Sequence, residues 1–416
     1  MNSDFQQILK ELYSLQRLGI KTGLNHTRQL LRACDNPQKK LKLIHVAGTN
    51  GKGSTCAMIY SILHEAGLKV GLYTSPHLIH FNERIRVNGI PISDTHIVEF
   101  MDLFSKDIKV IQSTFFETTT AMALWYFQKK KVDYAVIETG LGGRLDSTNV
   151  INPEISILTT VSMDHREILG GTIYDIAGEK AGIIKKEIPV ISCVQANTVQ
   201  TVFEKKARSV GANIQFLKKP DQCNISLTGT TFIWDGSTHT TSLIGNHQAI
   251  NTSLAIAGVR ALNIGITQNN INMGLKKVAW PGRFQILSSC PPIIYDVAHN
   301  ADGINATLNT INALFSGKPI GLMALKEDKE FSLIASSIKD QFETIWTIGD
   351  ENNLLMPAID LSQCLKKYDI DAHPINHLKD FTSSINKEKP GLVFGSHYIA
   401  EHIFKHFHFS FDKEFI

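Results

Sequence analysis

His45-Val46-Ala47-Gly48-Thr49-Asn50-Gly51-Lys52-Gly53-Ser54 is the stretch on which the reading of this chain turns. It follows an apolar run, Leu41, Leu43 and Ile44, that reads as a buried strand. It precedes Thr55 to Glu65, where Met58, Ile59, Ile62 and Leu63 recur at helical spacing. Strand, glycine turn and helix start together make a phosphate cradle. The glycines let several N–H groups point at one anion, the helix N-terminus adds partial positive charge, and Lys52 supplies a full one. Ser54 can offer its hydroxyl to a magnesium ion. The spacing is a variant of the usual P-loop, because Val46 stands where a glycine is usual and Gly53 separates Lys52 from Ser54.

On either side of this loop, strand and helix alternate. Lys69 to Thr74 reads as a strand stopped by Ser75-Pro76, and Asn88-Gly89 marks a turn between short extended pieces. Asp94 to Lys130 reads as largely helical, interrupted at Thr114 to Thr118. Val132 to Glu138 is an apolar strand that ends in a carboxylate and runs into a second glycine-rich loop, Thr139 to Asp146. Ile155 to Val161 is a strand ending at Asp164-His165, followed by a helix over 173–184 and a strand over 188–193. This alternation predicts a mainly parallel sheet covered on both faces, with ligands beyond the carboxyl ends of the strands. Gly51, Ser75, Glu138 and His165 all fall there.

The expected fold class is α/β: a P-loop, mainly parallel sheet domain over 1–281, a linker over 282–291, and a smaller Rossmann-like α/β domain over 292–416. Thr-rich alternation over 213–243 predicts a small antiparallel patch, with helices over 251–262 and onward to 277. Trp280-Pro281-Gly282-Arg283 and Cys290-Pro291-Pro292 mark the boundary. Four strands follow, over 293–297, 320–324, 344–348 and 392–394.

At 416 residues, two domains are the first expectation, and 43% apolar with 19% charged residues excludes a disordered or fibrous chain. A net charge of +3 offers no strong field for nucleic acid or a membrane surface. The six dispersed cysteines form no C-x-x-C pair and read as thiols in a reducing compartment. Met1 to Leu12 has no signal-peptide core and no apolar run reaches spanning length, so a cytoplasmic location is expected.

Taken singly, Glu138 reads as a ligand for magnesium, a hard cation that prefers oxygen, or else as a cap on its glycine loop. His165 alone is ambiguous. Arg144 could hold an anion and Asp146 could hydrogen-bond a polar heterocycle, against the plainer reading of a turn aspartate. Asp296 and His299-Asn300 suggest an interdomain site, with helix capping the alternative.

Several motifs together resemble the folylpolyglutamate synthases and bacterial dihydrofolate synthases of the Mur ligase superfamily, over nearly the whole chain. They are residues 45–54, Thr-Ser-Pro-His-Leu (74–78), Phe-Asn-Glu-Arg-Ile (81–85), Glu-Thr-Gly-Leu-Gly-Gly-Arg-Leu-Asp-Ser-Thr-Asn (138–149), Asp-His (164–165), Gly-Glu-Lys-Ala-Gly-Ile (178–183), Pro-Gly-Arg-Phe-Gln (281–285) and Asp-Val-Ala-His-Asn (296–300). The resemblance implies ATP-dependent amide formation: a carboxylate attacks the γ-phosphate, an acyl phosphate forms, and an amino acid's amine displaces phosphate.

It also implies roles. Ser75, Glu138 and His165 match the magnesium ligands, and Lys180 matches a lysine that is carbamylated in the family. Gly48, Thr49, Asn50, Gly51, Lys52, Gly53, Ser54, Asn251, Arg283 and Asp296 match nucleotide-contacting positions. Lys52, Lys180 and His299 are the expected catalytic residues. Thr114, Phe116, Glu117, Leu145, Asp146 and Ser147 match pteroate-binding positions, bordered by Lys21, Thr22 and Gly23. The implied cofactors are Mg2+, with ATP as co-substrate, and a monovalent cation; the implied partners are L-glutamate, dihydropteroate and folates, bound by a monomer. Departures are Ala301 where the family usually has Pro, Arg166-Glu167 after the metal histidine, and a loose match over Leu325 to Lys329.

The leading reading is a ligase adding L-glutamate to dihydropteroate and to folylpolyglutamate. Polyglutamylation alone is a close rival, and a non-ligating ATP-gated binding protein is a rival of another class. A cell-wall peptide ligase is disfavoured by the Thr-Ser-Pro-His and Phe-Glu-Thr-Thr segments.

Overall fold

The structure, a computed structural model, describes residues 3–19, 23–350, 352–386 and 389–409. Its largest sheet contains β1 (Leu43–Ala47), β2 (Val70–Tyr73), β3 (Ile85–Val87), β4 (Ile90–Pro91), β5 (Tyr134–Glu138), β6 (Ile155–Leu158), β7 (Val190–Ser192) and β8 (Ile214–Phe216). The order is β4-β3-β2-β5-β1-β6-β7-β8, with β3 and β4 antiparallel at one edge and the remaining strands parallel. Every residue of β1 and β5 is buried, as expected of parallel strands covered on both faces. Alternate residues serve opposite cores: Ile44 and Val46 join one apolar cluster, Leu43 the other.

The first core is built around the helix Lys52–Glu65, whose residues from Gly53 to Leu63 are all buried. Helices Asn246–Ala261 and Gln268–Lys277 enclose it. Gly274 lets the latter approach closely, since a Cβ there would lie 2.6 Å from the Ile62 Cα. On the opposite face lie Ser3–Ser14, Asn25–Ala33, Asp94–Ile111 and Phe115–Lys130. The last two are separated only by Gln112 to Thr114. The expected interruption through Thr118 is instead a helix start, because Thr114 caps the helix and Glu117 completes a capping box.

The antiparallel patch is present as β9 (Asp221–Ser226), β10 (Gly229–Trp234) and β11 (Ser237–Thr241), in the order β11-β10-β9. The third sheet contains β12 (Gln285–Ser289), β13 (Pro292–Tyr295), β14 (Ile320–Met323), β15 (Thr344–Thr347), β16 (Ala372–Pro374) and β17 (Gly391–Phe394), in the order β12-β13-β17-β14-β15-β16. Only β12 is antiparallel to its neighbour. Residues 282–291, expected as a linker, therefore hold an edge strand hydrogen-bonded to β13. Among the described residues no helix is long and apolar enough to cross a membrane.

Candidate active site

The largest sheet changes direction of winding at β1. Chain crossovers lead to β2 and β5 on one side and to β6, β7 and β8 on the other, which opens a crevice at the carboxyl end of β1. The glycine loop fills this crevice, and the register places Val46 opposite Glu138. Gly51, at φ 87°, caps the helix Lys52–Glu65, and a Cβ on it would lie 2.2 Å from Asn251 Oδ1. Gly53 has its own reason to be glycine: a Cβ there would lie 2.8 Å from Trp280 Nε1. The residue that departs from the usual spacing is thus where the indole packs on the helix's first turn.

A cleft of about 500 Å3 runs from this loop to the carboxyl ends of β13, β14 and β17. Gly48, Thr49, Asn50, Gly51, Lys52, Gly53, Ser54, Ser75, Glu138, His165, Lys180, Asn251, Arg283, Asp296 and His299 all line it. Every residue expected to be catalytic, metal-binding or nucleotide-binding is therefore gathered in one place.

Electrostatically, the cleft is built from buried charges held by few, mostly neutral partners. Glu138 is 4% exposed and accepts the Ser75 N–H at 3.2 Å. Burial pushes its carboxyl up, opposed by Lys52 and by that N–H. A buried carboxylate held by a neutral donor fits a hard cation, and Ser75 and His165 line the same space. Among the described residues no three His, Cys, Asp or Glu side chains cluster as a metal site, so Mg2+ here would complete its shell with water and phosphate oxygens. Lys180 is 3% exposed and donates to the Gly48 carbonyl at 2.8 Å. Burial, aided by Lys52, lowers its amine from 10.5 to about 7. Lys52 donates to the Thr49 carbonyl at 3.0 Å.

His299 lies 2.9 Å from the Val297 carbonyl through Nδ1, which must therefore carry the proton, leaving Nε2 as a lone pair. Burial, then Lys329, lowers its pKa to about 4, so the ring is neutral near pH 7. Asp296 accepts from the Phe284 and Ala298 N–H groups at 2.9 and 2.8 Å, tying the strand ends that present Arg283 and His299. Asn300 caps the helix Ala301–Leu314 through its bond from the Gly303 N–H at 2.8 Å, so Ala301 sits in the first helical turn where a proline would also fit.

The expected pteroate residues lie outside this cleft. Phe116 packs on Gly140, where a Cβ would lie 2.4 Å from the ring, and Gly140 itself lines the cleft. Asp146 accepts from the Leu141 N–H at 2.8 Å and from the Thr148 N–H and hydroxyl at 3.0 and 2.5 Å, so its carboxylate ties the second glycine loop together. Leu145 is half-buried and Ser147 buried. Glu117 accepts the Thr114 N–H at 2.7 Å. Gly23 is half-buried, while Lys21 and Thr22 lie outside the described residues. Arg144, expected to be available for an anion, is instead paired with Glu179 at 2.6 Å.

Sequence reasoning missed several residues of the cleft. His247 and Gln248 open the helix that carries Asn251, and Gln248 bridges the Ser54 hydroxyl at 3.4 Å and the Asn251 amide at 3.0 Å. Ser396, His397 and Tyr398 follow β17, and Lys326 and Lys329 follow β14. The strand-end rule that found Glu138 could have found the residues after β14 and β17, but not His247 and Gln248, which open a helix.

A P-loop at the winding switch of a parallel sheet, facing a second α/β sheet across a charged cleft, defines a nucleotide-phosphate-binding protein of two domains. Residues 46–259 match the Mur ligase middle domain and 282–392 the Mur ligase glutamate ligase domain. The chain is 39% identical to the dihydrofolate synthase/folylpolyglutamate synthase of Bacillus subtilis over 79% of its own length and 81% of that protein's. It superposes with a TM-score of 0.89 on Mycobacterium tuberculosis folylpolyglutamate synthase complexed with ADP and AMPPCP, at 26% identity, covering 97% and 99% of the two chains. For E. coli FolC in complex with DHPP and ADP the TM-score is 0.84, with 28% identity and 96% and 97% coverage. The chain belongs to the Mur ligase family, in its dihydrofolate synthase/folylpolyglutamate synthase branch.

Proposed function

We propose that the protein adds L-glutamate both to dihydropteroate, giving dihydrofolate, and to folylpolyglutamate, through an acyl phosphate. The observation that carries this reading is the convergence of the glycine loop, Glu138 and the neutral His299 on one cleft, with Phe116 packed behind Gly140 at its wall. The loop N–H groups, the helix N-terminus and Lys52 hold the ATP phosphates, and Arg283 offers its fork of donors to them. Held by Ser75, Glu138 and His165, Mg2+ would supply charge neutralisation at the phosphates. The acceptor carboxylate attacks the γ-phosphorus, ADP leaves, and the amine of glutamate then displaces phosphate. His299 Nε2 takes the proton lost as the C–N bond forms. Lys180, its amine lowered to about 7 and so about half unprotonated at neutral pH, is suited to react with carbon dioxide, which releases a proton and turns a buried amine into an oxygen anion facing the cations. A flat aromatic face at Phe116 suits a pterin ring.

The proposal includes a division of labour: residues 1–281 bind nucleotide and folate and 292–416 bring the ligase groups, in a monomeric, cytoplasmic protein that acts on small molecules and not on nucleic acid. The near-neutral charge supports the last point. The test is phosphate release from ATP and magnesium while varying glutamate, with dihydropteroate or tetrahydrofolate as acceptor. Glutamate-dependent release with both acceptors is expected. Release with tetrahydrofolate alone would restrict the enzyme to polyglutamylation, and release independent of any acceptor would remove the ligase reading.

A further inference from the structure

Asp164 joins the two halves of the molecule through side-chain bonds. It lies beyond β6, and its Oδ1 accepts the N–H of His165 at 3.0 Å, bracing that residue at φ 51°, in the left-handed region that few non-glycine residues take. The same carboxylate receives two donors from the other side of the cleft. Lys329 Nζ lies 3.1 Å from Oδ1, and Asn300 Nδ2 lies 3.2 Å from Oδ2. The side chains of Lys329 and Asp164 are only 9% and 11% exposed. Asn300 also forms a reciprocal amide pair with Asn50 of the glycine loop, at 3.2 and 3.1 Å. One cluster thus ties together the phosphate loop, the segment presenting His165, and the start of the helix Ala301–Leu314.

We propose that Asp164 and Lys329 are positioning residues that form an interdomain latch: docking of Lys329 and Asn300 on Asp164 sets the posture of His165, so the metal-side loop is complete only when the domains are closed. The inference rests on the reading of His165 as a metal-side residue. A buried pair of this kind forms only in the closed arrangement, because in an open one each charge is hydrated by water instead. The neighbouring pair Arg166–Glu330, at 3.2 Å with side chains 42% and 36% exposed, also crosses between the domains, but it is screened by solvent and can add little.

The experiment compares wild type with Lys329→Met, Asp164→Asn, the double variant, Lys329→Arg and Glu330→Gln. Two readouts are independent of turnover: small-angle X-ray scattering with a non-hydrolysable ATP analogue, and Mn2+ binding to the nucleotide-bound protein followed by electron paramagnetic resonance. Lys329→Met and Asp164→Asn are each expected to give a more open particle and to weaken Mn2+ binding roughly tenfold or more, the range seen when a residue supporting a metal ligand is lost. The double variant should be no worse than either single one, Lys329→Arg should recover part of the loss, and Glu330→Gln should match wild type. Wild-type closure and Mn2+ affinity in folded Lys329→Met would overturn the latch, as would additive losses in the double variant. The two readings fail separately: wild type that closes and binds Mn2+ but shows no glutamate-dependent phosphate release would refute the ligase reading and leave the latch standing.

Discussion

Replacing Lys180 by Met should make the metal-free, bicarbonate-free protein gain stability relative to wild type at low pH, with the advantage shrinking as pH rises. The amine is fully enclosed, and burial, then Lys52, lowers it from 10.5 to about 7. Between those values the unfolded chain binds a proton that the folded chain does not. Stability conferred by the lysine therefore rises with pH across that window and is lowest below it. At 1.36 kcal/mol per decade, the wild type should gain roughly 2–3 kcal/mol on the Met variant between about pH 6 and pH 9. Lost contact with the Gly48 carbonyl offsets the absolute values equally at every pH, so the slope is the informative quantity. Chemical denaturation of both proteins across this range measures it. A flat difference, or one of opposite sign, would refute the claim that Lys180 is buried as a neutral amine. Bicarbonate should stabilise wild type and leave the variant unchanged.

Three further outcomes follow from the geometry. Gly182→Ala puts a Cβ 2.2 Å from the Arg144 Cα, backbone that cannot swing aside, so the second glycine loop and the helix bearing Lys180 are forced apart; a loss of about 1–3 kcal/mol in urea unfolding and a fall in turnover are expected. Arg144→Ala removes an ion pair whose Arg side chain is 58% exposed, so it should cost less than about 1 kcal/mol and leave the KM for ATP unchanged, despite the residue's place in a glycine motif. Phe116→Ala should raise the KM for dihydropteroate several-fold while sparing ATP, which steady-state kinetics with each substrate varied will show.

The elements read correctly from sequence are those in which one physical signal dominates. Strands β1 and β5 are buried throughout and apolar but for His45 and the terminal Glu138, because both faces of a parallel sheet are covered, and Gly48 follows the one and the Glu138 carboxylate ends the other at the crevice. The edge strands carried no such signal. Strand β12 is half-exposed along most of its length and β16 spans three residues, so neither alternates clearly. The helix bearing Asn251 begins at Asn246, five positions before the expected start, since Gly245 at φ 125° provides the entry and the polar His247 and Gln248 of its first turn line the cleft. The helix beginning at Phe115 was legible after all: Thr114 and Glu117 have capping-box spacing, which outweighs the β-branched residues between and after them. Arg144 shows the opposite limit, because its partner Glu179 lies 35 positions away and only the fold brings them together.

The most direct test of the central claim uses dihydropteroate labelled with oxygen-18 in its carboxylate, with ATP, magnesium and L-glutamate. If the carboxylate attacks the γ-phosphorus and the amine then displaces phosphate, one labelled oxygen must leave with the inorganic phosphate and the other must remain in the new amide, read by mass spectrometry of both products. Released phosphate free of label, formed at the rate of amide synthesis, would contradict the acyl phosphate and with it the mechanism assigned to this cleft.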